Sequence, residues 1–283
     1  MPRDLAIVLD AAGTMLRMYR VAKDLSSGLL IKNVVTWELI MEKSGRALVV
    51  PQLDPNLLVM YPPDEPLSFL FKGKEDCIEI SCSSSPISRE QAVTILLRSR
   101  AKISDLQEVH IAVEARCPEK YQTSGMIVDA DLQDVTHVLS TGGTPFPGLR
   151  RVLREIESLG ADVYVASGDS MRSLANLKDY GIDLSRVYPV ASPRRKQEIV
   201  IELKKRYSKV VMVGDGLNDQ YALKASDLGV LSVQQDSRPA STLALAADEI
   251  MKDIKELPGI LERKIIPCIQ DETAAVTACD GRS

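Results

Sequence analysis

The sequence predicts an α/β protein in which a doubly wound parallel sheet carries an inserted α+β module. Three observations predict this class. Short apolar runs that end in polar residues occur at three places, and strand-like segments alternate with helix-like ones from about residue 144. From residue 30 to about residue 140 the pattern differs, with several proline-rich loops and no regular alternation of strands and helices. Alternating strands and helices are typical of parallel sheets, whose strands are buried on both faces.

The composition favours a cytoplasmic protein that binds neither nucleic acid nor membranes. The net charge is −4 and aromatic residues are 4% of the chain, which offers little to a polyanion or to stacked bases. No apolar run has the length of a membrane span, and the first residues do not resemble a signal peptide. The five cysteines lack C-x-x-C spacing, which favours reduced thiols. The sequence leaves open whether the chain forms a homo-oligomer.

The first predicted element is a buried strand over residues 5–9. This apolar run ends at Asp10 and is followed by two alanines, a glycine and a threonine. Ligands of open α/β sheets bind outside the carboxyl ends of the strands, so we expect Asp10 to lie at a site. Gly13 permits a tight turn of the backbone, and Thr14 offers a hydroxyl group beside the carboxylate.

The inserted module is predicted from β-branched runs, alternating apolar residues and proline-rich loops. Ser88, followed three residues later by Gln91, resembles a capping box before a helix. We predict, in order, a helix or helix plus loop over 15–30, strands over 34–40, 47–50 and 67–71, a strand or short helical turn over 77–82, a helix over 88–97, and strands over 109–113 and 135–139.

The second half of the chain has a regular pattern. Residues 149–159 carry apolar side chains at i, i+3, i+4 and i+7, which predicts a helix that Gly160 closes. The remaining predictions are strands over 161–166, 209–213, 227–231 and 248–250, and helices over 170–180 and 193–207. From residue 267 the chain is small and polar, and we expect a flexible tail.

Polar residues follow three of the predicted strands, and a lysine lies near the start of one helix. These residues are Asp10, then Ser167 and Asp169, then Asp215 and Asp219, and the lysine is Lys196. Carboxylates that converge on one edge of a sheet repel each other unless a hard cation lies among them, and Mg²⁺ prefers oxygen ligands. A serine and a lysine nearby suit the oxygens of a phosphate group. A carboxylate beside Mg²⁺ can attack phosphorus and form an aspartyl-phosphate.

Four motifs in this order resemble those of the haloacid dehalogenase superfamily of phosphoryl-transfer enzymes. They are Asp10-Ala11-Ala12-Gly13-Thr14, Ser167-Gly168-Asp169, Pro193-Arg194-Arg195-Lys196 and Gly214-Asp215-Gly216-Leu217-Asn218-Asp219. The resemblance implies a Rossmann-like core with an inserted cap. On that basis we assign residues 1–19 and 141–266 to the catalytic core, 20–140 to the cap or substrate module, and 267–283 to a flexible tail.

The resemblance also implies a role for each matching residue. Asp10 is expected to be the nucleophile, assisted by Lys196 and Thr14. The substrate phosphate is expected to bind Ser167, Gly168, Lys196 and Asn218. The cofactor Mg²⁺ is expected to bind Asp10, the main-chain carbonyl of Ala12, Asp215 and Asp219.

The first motif departs from the pattern of most phosphatases in this superfamily. They carry a second aspartate two residues after the nucleophile as a general acid and base, whereas this chain has Ala12. An alanine cannot transfer a proton, and loss of such a group costs about 10²–10⁴-fold in rate. Two related branches lack that aspartate: the P-type ATPases, whose later motifs are similar to those here, and the phosphonate hydrolases, which also use a cap lysine as an imine former.

The sequence therefore predicts a Mg²⁺-dependent phosphohydrolase that acts through an aspartyl-phosphate on Asp10, on a small phosphorylated molecule, with turnover slowed by Ala12. Three alternatives stay open: a soluble relative of the P-type ATPases, a phosphonate hydrolase, and a regulatory protein that binds phosphate with little turnover. The stretch Phe71-Lys72-Gly73-Lys74-Glu75 resembles a Lys-Gly segment of ATPase nucleotide-binding domains, although such a pair is also typical of a simple turn.

Overall fold

The protein, in a computed structural model that describes residues 3–117, 121–235 and 241–269, divides into two compact units. One unit takes in the described residues of Met1–Arg17 and Pro145–Ser283, and the other is Met18–Thr144. Each unit is built on a six-stranded sheet. The first sheet is parallel and alternates with helices along the chain, so the predicted α/β class is confirmed.

The described strands and helices are numbered along the chain. The strands are β1 Arg3–Leu9, β2 Leu16–Asp24, β3 Leu30–Lys32, β4 Arg46–Pro51, β5 Ile78–Ser83, β6 Tyr121–Asp129, β7 Asp134–Pro145, β8 Ala161–Ala166, β9 Val187–Tyr188, β10 Tyr207–Gly214, β11 Leu228–Ser232 and β12 Glu249–Met251. The helices are α1 Thr36–Met41, α2 Arg89–Arg98, α3 Ile103–Glu114, α4 Leu149–Ser158, α5 Met171–Leu174, α6 Pro193–Lys204, α7 Gln220–Ala225, α8 Ser241–Ala244 and α9 Leu257–Lys264.

The parallel sheet brings three strand ends together. Its order is β12-β11-β10-β1-β8-β9, so β1 lies between β10 and β8. Leu9 at the end of β1 pairs with Val213 of β10 on one side and with Val165 of β8 on the other. Residues 5–9 are all buried, as expected for a central strand covered on both faces. The residues that follow β1, β8 and β10 therefore lie at one edge of the sheet.

The helices of this unit start and stop where their residues predict. The apolar stripe of α4 is buried as predicted, and Gly160 lies just beyond the helix with a φ of +82°. Helix α6 begins after Ser192, whose side chain accepts a hydrogen bond from the amide of Arg195, and has Pro193 in its first turn. The predicted helix over 170–180 is the short α5 continued by a 3₁₀ helix, Ala175–Tyr180.

The second sheet has the order β3-β2-β7-β6-β4-β5 and is covered unequally on its two faces. On one face, side chains of the sheet pack with those of α2, α3 and the 3₁₀ turns near residues 55–60 and 67–70, and together they form the larger buried cluster. A smaller cluster on the other face includes Ile40 of α1 and Ile127 of β6. The predicted helix over 88–97 is confirmed as α2, and the side chain of Ser88 caps it by accepting from the amide of Gln91.

The predicted helix, or helix plus loop, over residues 15–30 is wrong, because β2 occupies most of this segment and β3 begins at Leu30. Met18 and Tyr19 are both buried although neighbouring side chains of a strand point to opposite faces. A strand covered on both faces shows no period of two, so its apolar run resembles that of a buried helix segment.

Three predicted strands in the same module are also wrong. Residues 34–40 contain α1, residues 67–71 contain a 3₁₀ helix, Leu67–Leu70, and residues 109–113 lie in α3. In α3 the buried side chains Ile103, Leu106 and Val109 recur at helical spacing from a start well before residue 109. Residues 109–113 alone are too few to reveal the helical period, and their β-branched side chains favoured a strand. Packing against the sheet overrode that strand propensity.

Two further expectations concern the Lys-Gly stretch and the tail that begins at residue 267. Gly73 of the Lys-Gly stretch has a φ of +73°, which is typical of a turn. The predicted flexible tail begins at residue 267 and lies almost entirely outside the described residues. Among the helices that the structure describes, none has both the length and the apolarity needed to span a membrane.

Asp129 ties the turn between β6 and β7 to the loop between α1 and β4. Its buried carboxylate accepts hydrogen bonds from Lys43 Nζ at 3.0 and 3.1 Å and from the amides of Asp131 and Leu132 at 3.0 and 3.1 Å. Burial opposes ionisation, but the amide of Leu132 and the ammonium of Lys43 outweigh it and hold the pKa of Asp129 below its ordinary value.

We therefore expect Asp129→Asn to lower the free energy of unfolding by about 2–3 kcal/mol at pH 7, because it weakens several hydrogen bonds to a charged group. A lowered pKa in the folded state stabilises the protein above the unfolded-state pKa, and this contribution is lost as the pH falls through the folded-state pKa. The difference between wild type and variant should therefore shrink below the ordinary value of 3.8. Urea unfolding of both proteins at several pH values from 7 to 3 measures this difference in the free energy of unfolding.

Asp131→Asn is the matched control, because the Asp131 carboxylate is 70% exposed and 3.4 Å from the same Lys43 Nζ. An exposed ion pair contributes less than about 1 kcal/mol. Equal losses for the two variants would contradict the role given to the buried carboxylate.

Candidate active site

The structure gathers the predicted catalytic aspartate and lysine into one buried ion cluster. Asp10 follows β1, and its amide donates to the carbonyl of Val213 in β10 at 2.9 Å. Lys196, in the first turns of α6, donates from Nζ to Asp10 Oδ1 at 2.8 Å and to Asp219 Oδ1 at 2.7 Å. Lys196 and Asp219 are fully buried, and Asp10 is 2% exposed. An ammonium group this deep in the protein is stable only because both carboxylates compensate its charge.

Three carboxylates converge around this single lysine. Oxygens of Asp10, Asp215 and Asp219 all lie within 4.8 Å of one another. Burial raises the pKa of Asp10 well above its ordinary value; Lys196 opposes this shift, and the charges of Asp219 and Asp215 add to it. Burial also disfavours the charge of Lys196, but the attraction of Asp10 and Asp219 outweighs it and raises the pKa of Lys196. The cluster therefore carries more negative charge than its lysine balances.

Asp219 also holds the loop that follows β10. Its Oδ2 accepts hydrogen bonds from the amides of Asp215 at 3.1 Å and Gly216 at 3.0 Å, while its Oδ1 binds Lys196. A Cβ atom on Gly214 would lie 2.4 Å from Cγ of Asp219, so the carboxylate packs directly on the backbone. The final aspartate of the motif thus fixes both the lysine and the turn that presents Asp215.

The donor set fits a hard divalent cation. Carboxylate oxygens are the ligands that Mg²⁺ prefers, and three of them lie together here with one ammonium group to balance them. Both oxygens of Asp219 accept hydrogen bonds, and Oδ1 of Asp10 accepts one from Lys196. The backbone of Ala12 is half-buried between Asp10 and Gly13.

The predicted phosphate-binding residues are placed unequally. Ser167 is buried at the end of β8, and its amide donates to the carbonyl of Tyr188 at 3.1 Å. Gly168 is half-buried beside it. Thr14 is fully buried, and its Oγ1 has no hydrogen-bond partner among the described residues. Asn218 is exposed, its Oδ1 lies over Gly216, and no hydrogen bond found in the described part of the chain joins it to the ion cluster.

Three further polar residues contact the predicted motifs although none was assigned a role from the sequence. Asp169, already named among the polar residues that follow the predicted strands, accepts a hydrogen bond from Ser167 Oγ at 2.8 Å. Ser232 and Gln234 bind the carbonyls of Gly13 and Thr14. Ser232 ends β11 and Gln234 lies just beyond it, and β11 is not a neighbour of β1, so no sequence pattern signalled these two residues.

Comparison with known proteins finds similarity at the level of a family and of individual relatives. A family model described as haloacid dehalogenase-like hydrolase matches residues 69–227, more than half of the chain. A soluble P-type ATPase-like phosphatase of Methanocaldococcus jannaschii is 32% identical over 262 residues, which are 92% of this chain and 94% of that protein.

Transport ATPases match over shorter stretches. The probable copper-importing P-type ATPase A of Enterococcus hirae is 34% identical over 82 residues, 29% of this chain and 11% of that protein. The calcium-transporting ATPase type 2C member 1 of Homo sapiens is 42% identical over 80 residues, 26% of this chain and 9% of that protein. This chain thus spans nearly the whole length of the phosphatase but only a small part of each ATPase.

Gly13 allows Asp215 to approach the turn after β1. Gly13 has a φ of +71°, and a Cβ atom there would lie 1.7 Å from Oδ2 of Asp215. Gly28 has almost the same φ, +73°, with no atom within 4 Å of the corresponding position. The two glycines therefore share a backbone conformation and differ in what lies beside them.

We expect Gly28→Ala to lower the free energy of unfolding by about 1–2 kcal/mol, the cost of a left-handed conformation for a residue with a Cβ atom. Gly13→Ala should lower the free energy of unfolding by about 1–3 kcal/mol more than Gly28→Ala does, because the Asp215 carboxylate must move to relieve the overlap. Denaturant unfolding of the two variants measures this difference. Equal losses would show that Asp215 does not pack on Gly13.

Proposed function

The chain belongs to the haloacid dehalogenase-like hydrolase family, and from this premise we propose that it is a Mg²⁺-dependent phosphohydrolase that forms an aspartyl-phosphate on Asp10. The observation that carries this proposal is the buried contact of Lys196 with Asp10 and Asp219, inside a group of three carboxylates. The name of the Methanocaldococcus jannaschii phosphatase supports the same reaction class. The proposed substrate is a small phosphorylated molecule.

Asp10 is the proposed nucleophile. Lys196 binds its Oδ1 at 2.8 Å, which fixes the carboxylate and leaves Oδ2 as the attacking oxygen. Oδ2 forms a bond to phosphorus while the bond from phosphorus to the leaving oxygen breaks, and the leaving group departs with that electron pair. Water then attacks phosphorus, the bond to Asp10 breaks, and inorganic phosphate is released together with the regenerated carboxylate.

Asp10, Asp215 and the carbonyl of Ala12 are the proposed ligands of Mg²⁺, and Asp219 supports them by holding Lys196 and the amides of residues 215–216. When bound, Mg²⁺ supplies positive charge that offsets the carboxylates and the phosphoryl oxygens. Ser167 Oγ, the backbone at Gly168 and Lys196 are the proposed contacts of the phosphoryl oxygens. The buried Thr14 hydroxyl, which has no partner among the described residues, is a further candidate donor.

Ala12 restricts the choice of substrate. No carboxylic acid stands at this position to protonate a departing alkoxide, so a leaving group that is stable without a proton is favoured. Acyl phosphates and phosphoanhydrides have such leaving groups, whereas alkyl phosphates do not. We therefore propose that activated phosphate compounds are hydrolysed faster than simple alkyl monoesters.

Two lysines of the inserted module, Lys23 and Lys43, do not favour a phosphonate hydrolase. That chemistry needs a cap lysine with a neutral amine, and Lys23 instead lies 2.8 Å from both Asp105 and Glu108. Burial opposes the charge of Lys23, but the hydrogen bonds that its ammonium group donates to these carboxylates outweigh burial and raise the pKa of Lys23. Lys43, bound to Asp129, likewise has a raised pKa because of that hydrogen bond. A low-turnover phosphate-binding protein is the second candidate, favoured by Ala12.

The nucleophile can be identified by intact mass. After incubation with acetyl phosphate or ATP plus Mg²⁺, wild-type protein should gain one phosphate-sized adduct, and Asp10→Asn should gain none because an amide is a poor nucleophile. Asp4→Asn is the matched control, since Asp4 is an exposed aspartate on the same strand. It should form the adduct at the wild-type rate. Absence of both adduct and phosphate release in wild type, with phosphate still bound, would favour the regulatory alternative.

The effect of Ala12 can be tested by restoring a proton-transfer group. We expect Ala12→Asp to raise the rate of phosphate release from the phosphorylated protein at least ~10-fold, because a general acid–base group contributes about 10²–10⁴-fold. Ala12→Asn has a similar shape and cannot transfer a proton, so it should show no such gain. The measurement is loss of the adduct with time after removal of the donor. Equal rates in the two variants would contradict the argument from the missing acid and base.

A further inference from the structure

Ser232 reaches the turn after β1 from a strand that does not pair with β1. It ends β11, and β10 lies between β11 and β1 in the sheet. Its Oγ donates to the carbonyl of Gly13 at 3.0 Å, and the residue is 2% exposed. A buried carbonyl that lost this donor would be left without one of its partners, so the contact constrains the turn.

Both polar atoms of the Gln234 side chain form hydrogen bonds near the same turn. Its Nε2 donates to the carbonyl of Thr14 and to Ser232 Oγ, both at 3.0 Å. Its Oε1 accepts a hydrogen bond from the amide of Ile254 at 2.7 Å. Gln234 therefore joins the turn after β1 to the segment that precedes α9. We call Ser232 and Gln234 the carbonyl latch.

The carbonyl latch acts on the part of the backbone where the proposed reaction needs fixed geometry. Inside the turn, the amides of Met15 and Leu16 bind the carbonyl of Ala11 at 2.9 Å, and the amide of Gly13 binds the carbonyl of Leu16 at 2.8 Å. The carbonyls of Gly13 and Thr14 take no part in these bonds and accept hydrogen bonds from the carbonyl latch instead.

The two latched peptide groups lie between residues that the proposed reaction uses. Rotation of either group would displace the carbonyl of Ala12 or the hydroxyl of Thr14. It would also disturb the close packing of Asp215 on Gly13. Displacement of catalytic groups by about 1 Å can cost 10²-fold in rate.

We propose that Ser232 and Gln234 are positioning residues for phosphoryl transfer, an inference that rests on the proposed function. They hold the carbonyls of Gly13 and Thr14. They thereby fix the backbone that carries the Ala12 carbonyl proposed for Mg²⁺ and the Thr14 hydroxyl proposed for the phosphoryl group. A glutamine suits this place because it offers a donor to two oxygens and an acceptor to one amide. A glutamate would keep the acceptor and lose the donor.

Gln234→Glu therefore tests the carbonyl latch with little change of shape. We expect the rate of adduct formation with acetyl phosphate to fall about 10-fold, with KM changed less than twofold, because positioning affects the reaction more than binding. Amide hydrogen exchange of the peptide spanning residues 11–16 should become faster, since its turn is released. Gln235→Glu makes the same change at the next, exposed residue and should leave both measurements unchanged.

Ser232→Ala is the second variant, for the case that a carboxylate at residue 234 prevents folding. It removes the donor to Gly13 alone, and the rate should fall about 3-fold or more with the same faster exchange. A rate loss that only matches a loss of folded protein, judged by the thermal unfolding midpoint, would overturn the inference. Unchanged rates with faster exchange would also overturn it, because the latch would then be structural.

The same experiment separates this inference from the proposed function. If wild-type protein forms no adduct and releases no phosphate, the proposed function fails and the positioning role fails with it. Exchange at residues 11–16 still shows in that case whether the carbonyl latch holds the turn. If wild-type protein is active and the latch variants are equally active, only the further inference fails.

Discussion

The ammonium group of Lys196, buried between Asp10 and Asp219, is the constraint on which the rest of the catalytic unit depends. Removing a charged group from water costs several kcal/mol, and close, well-directed partners must offset that cost. The two contacts of 2.7 and 2.8 Å supply those partners. The ends of β1 and β10 and the start of α6 must therefore be held at fixed distances, which the parallel pairing of the strands and the Ser192 cap achieve.

The same cluster explains why its loops are rich in glycine. Asp215 packs against Gly13 and Asp219 packs against Gly214, each at a distance that no side chain would allow. Carboxylates can crowd this edge of the sheet because the backbone opposite them carries no Cβ atom. Backbone amides then take up the oxygens of Asp219, and side chains from β11 and beyond take up the carbonyls of Gly13 and Thr14. Both carboxylates and backbone are held before any substrate arrives.

Three of the four motifs could be predicted because each directly follows a buried strand; the lysine motif instead begins a helix. Asp10 and Asp215 follow apolar runs directly, so the sequence alone placed them at one edge of a sheet. The strands of the inserted unit were harder to predict. Residues 15–30 lack a period of two because β2 is covered on both faces, and residues 109–113 hide the helical period of α3. A short segment of sequence does not show which residues pack against it in space, and that packing decides between strand and helix.

By itself the sequence determined the parallel α/β core, the family and the set of polar residues at the strand ends, since these depend on local runs and spacings. Only the tertiary structure decided which contacts those residues make. It directed the oxygens of Asp219 to Lys196 and to backbone amides, and it left Asn218 exposed. It also added Ser232 from the end of β11 and Gln234 from just beyond that strand. Hydrogen bonds between residues more than 200 positions apart exist only once the sheet has formed, and no local pattern encodes them.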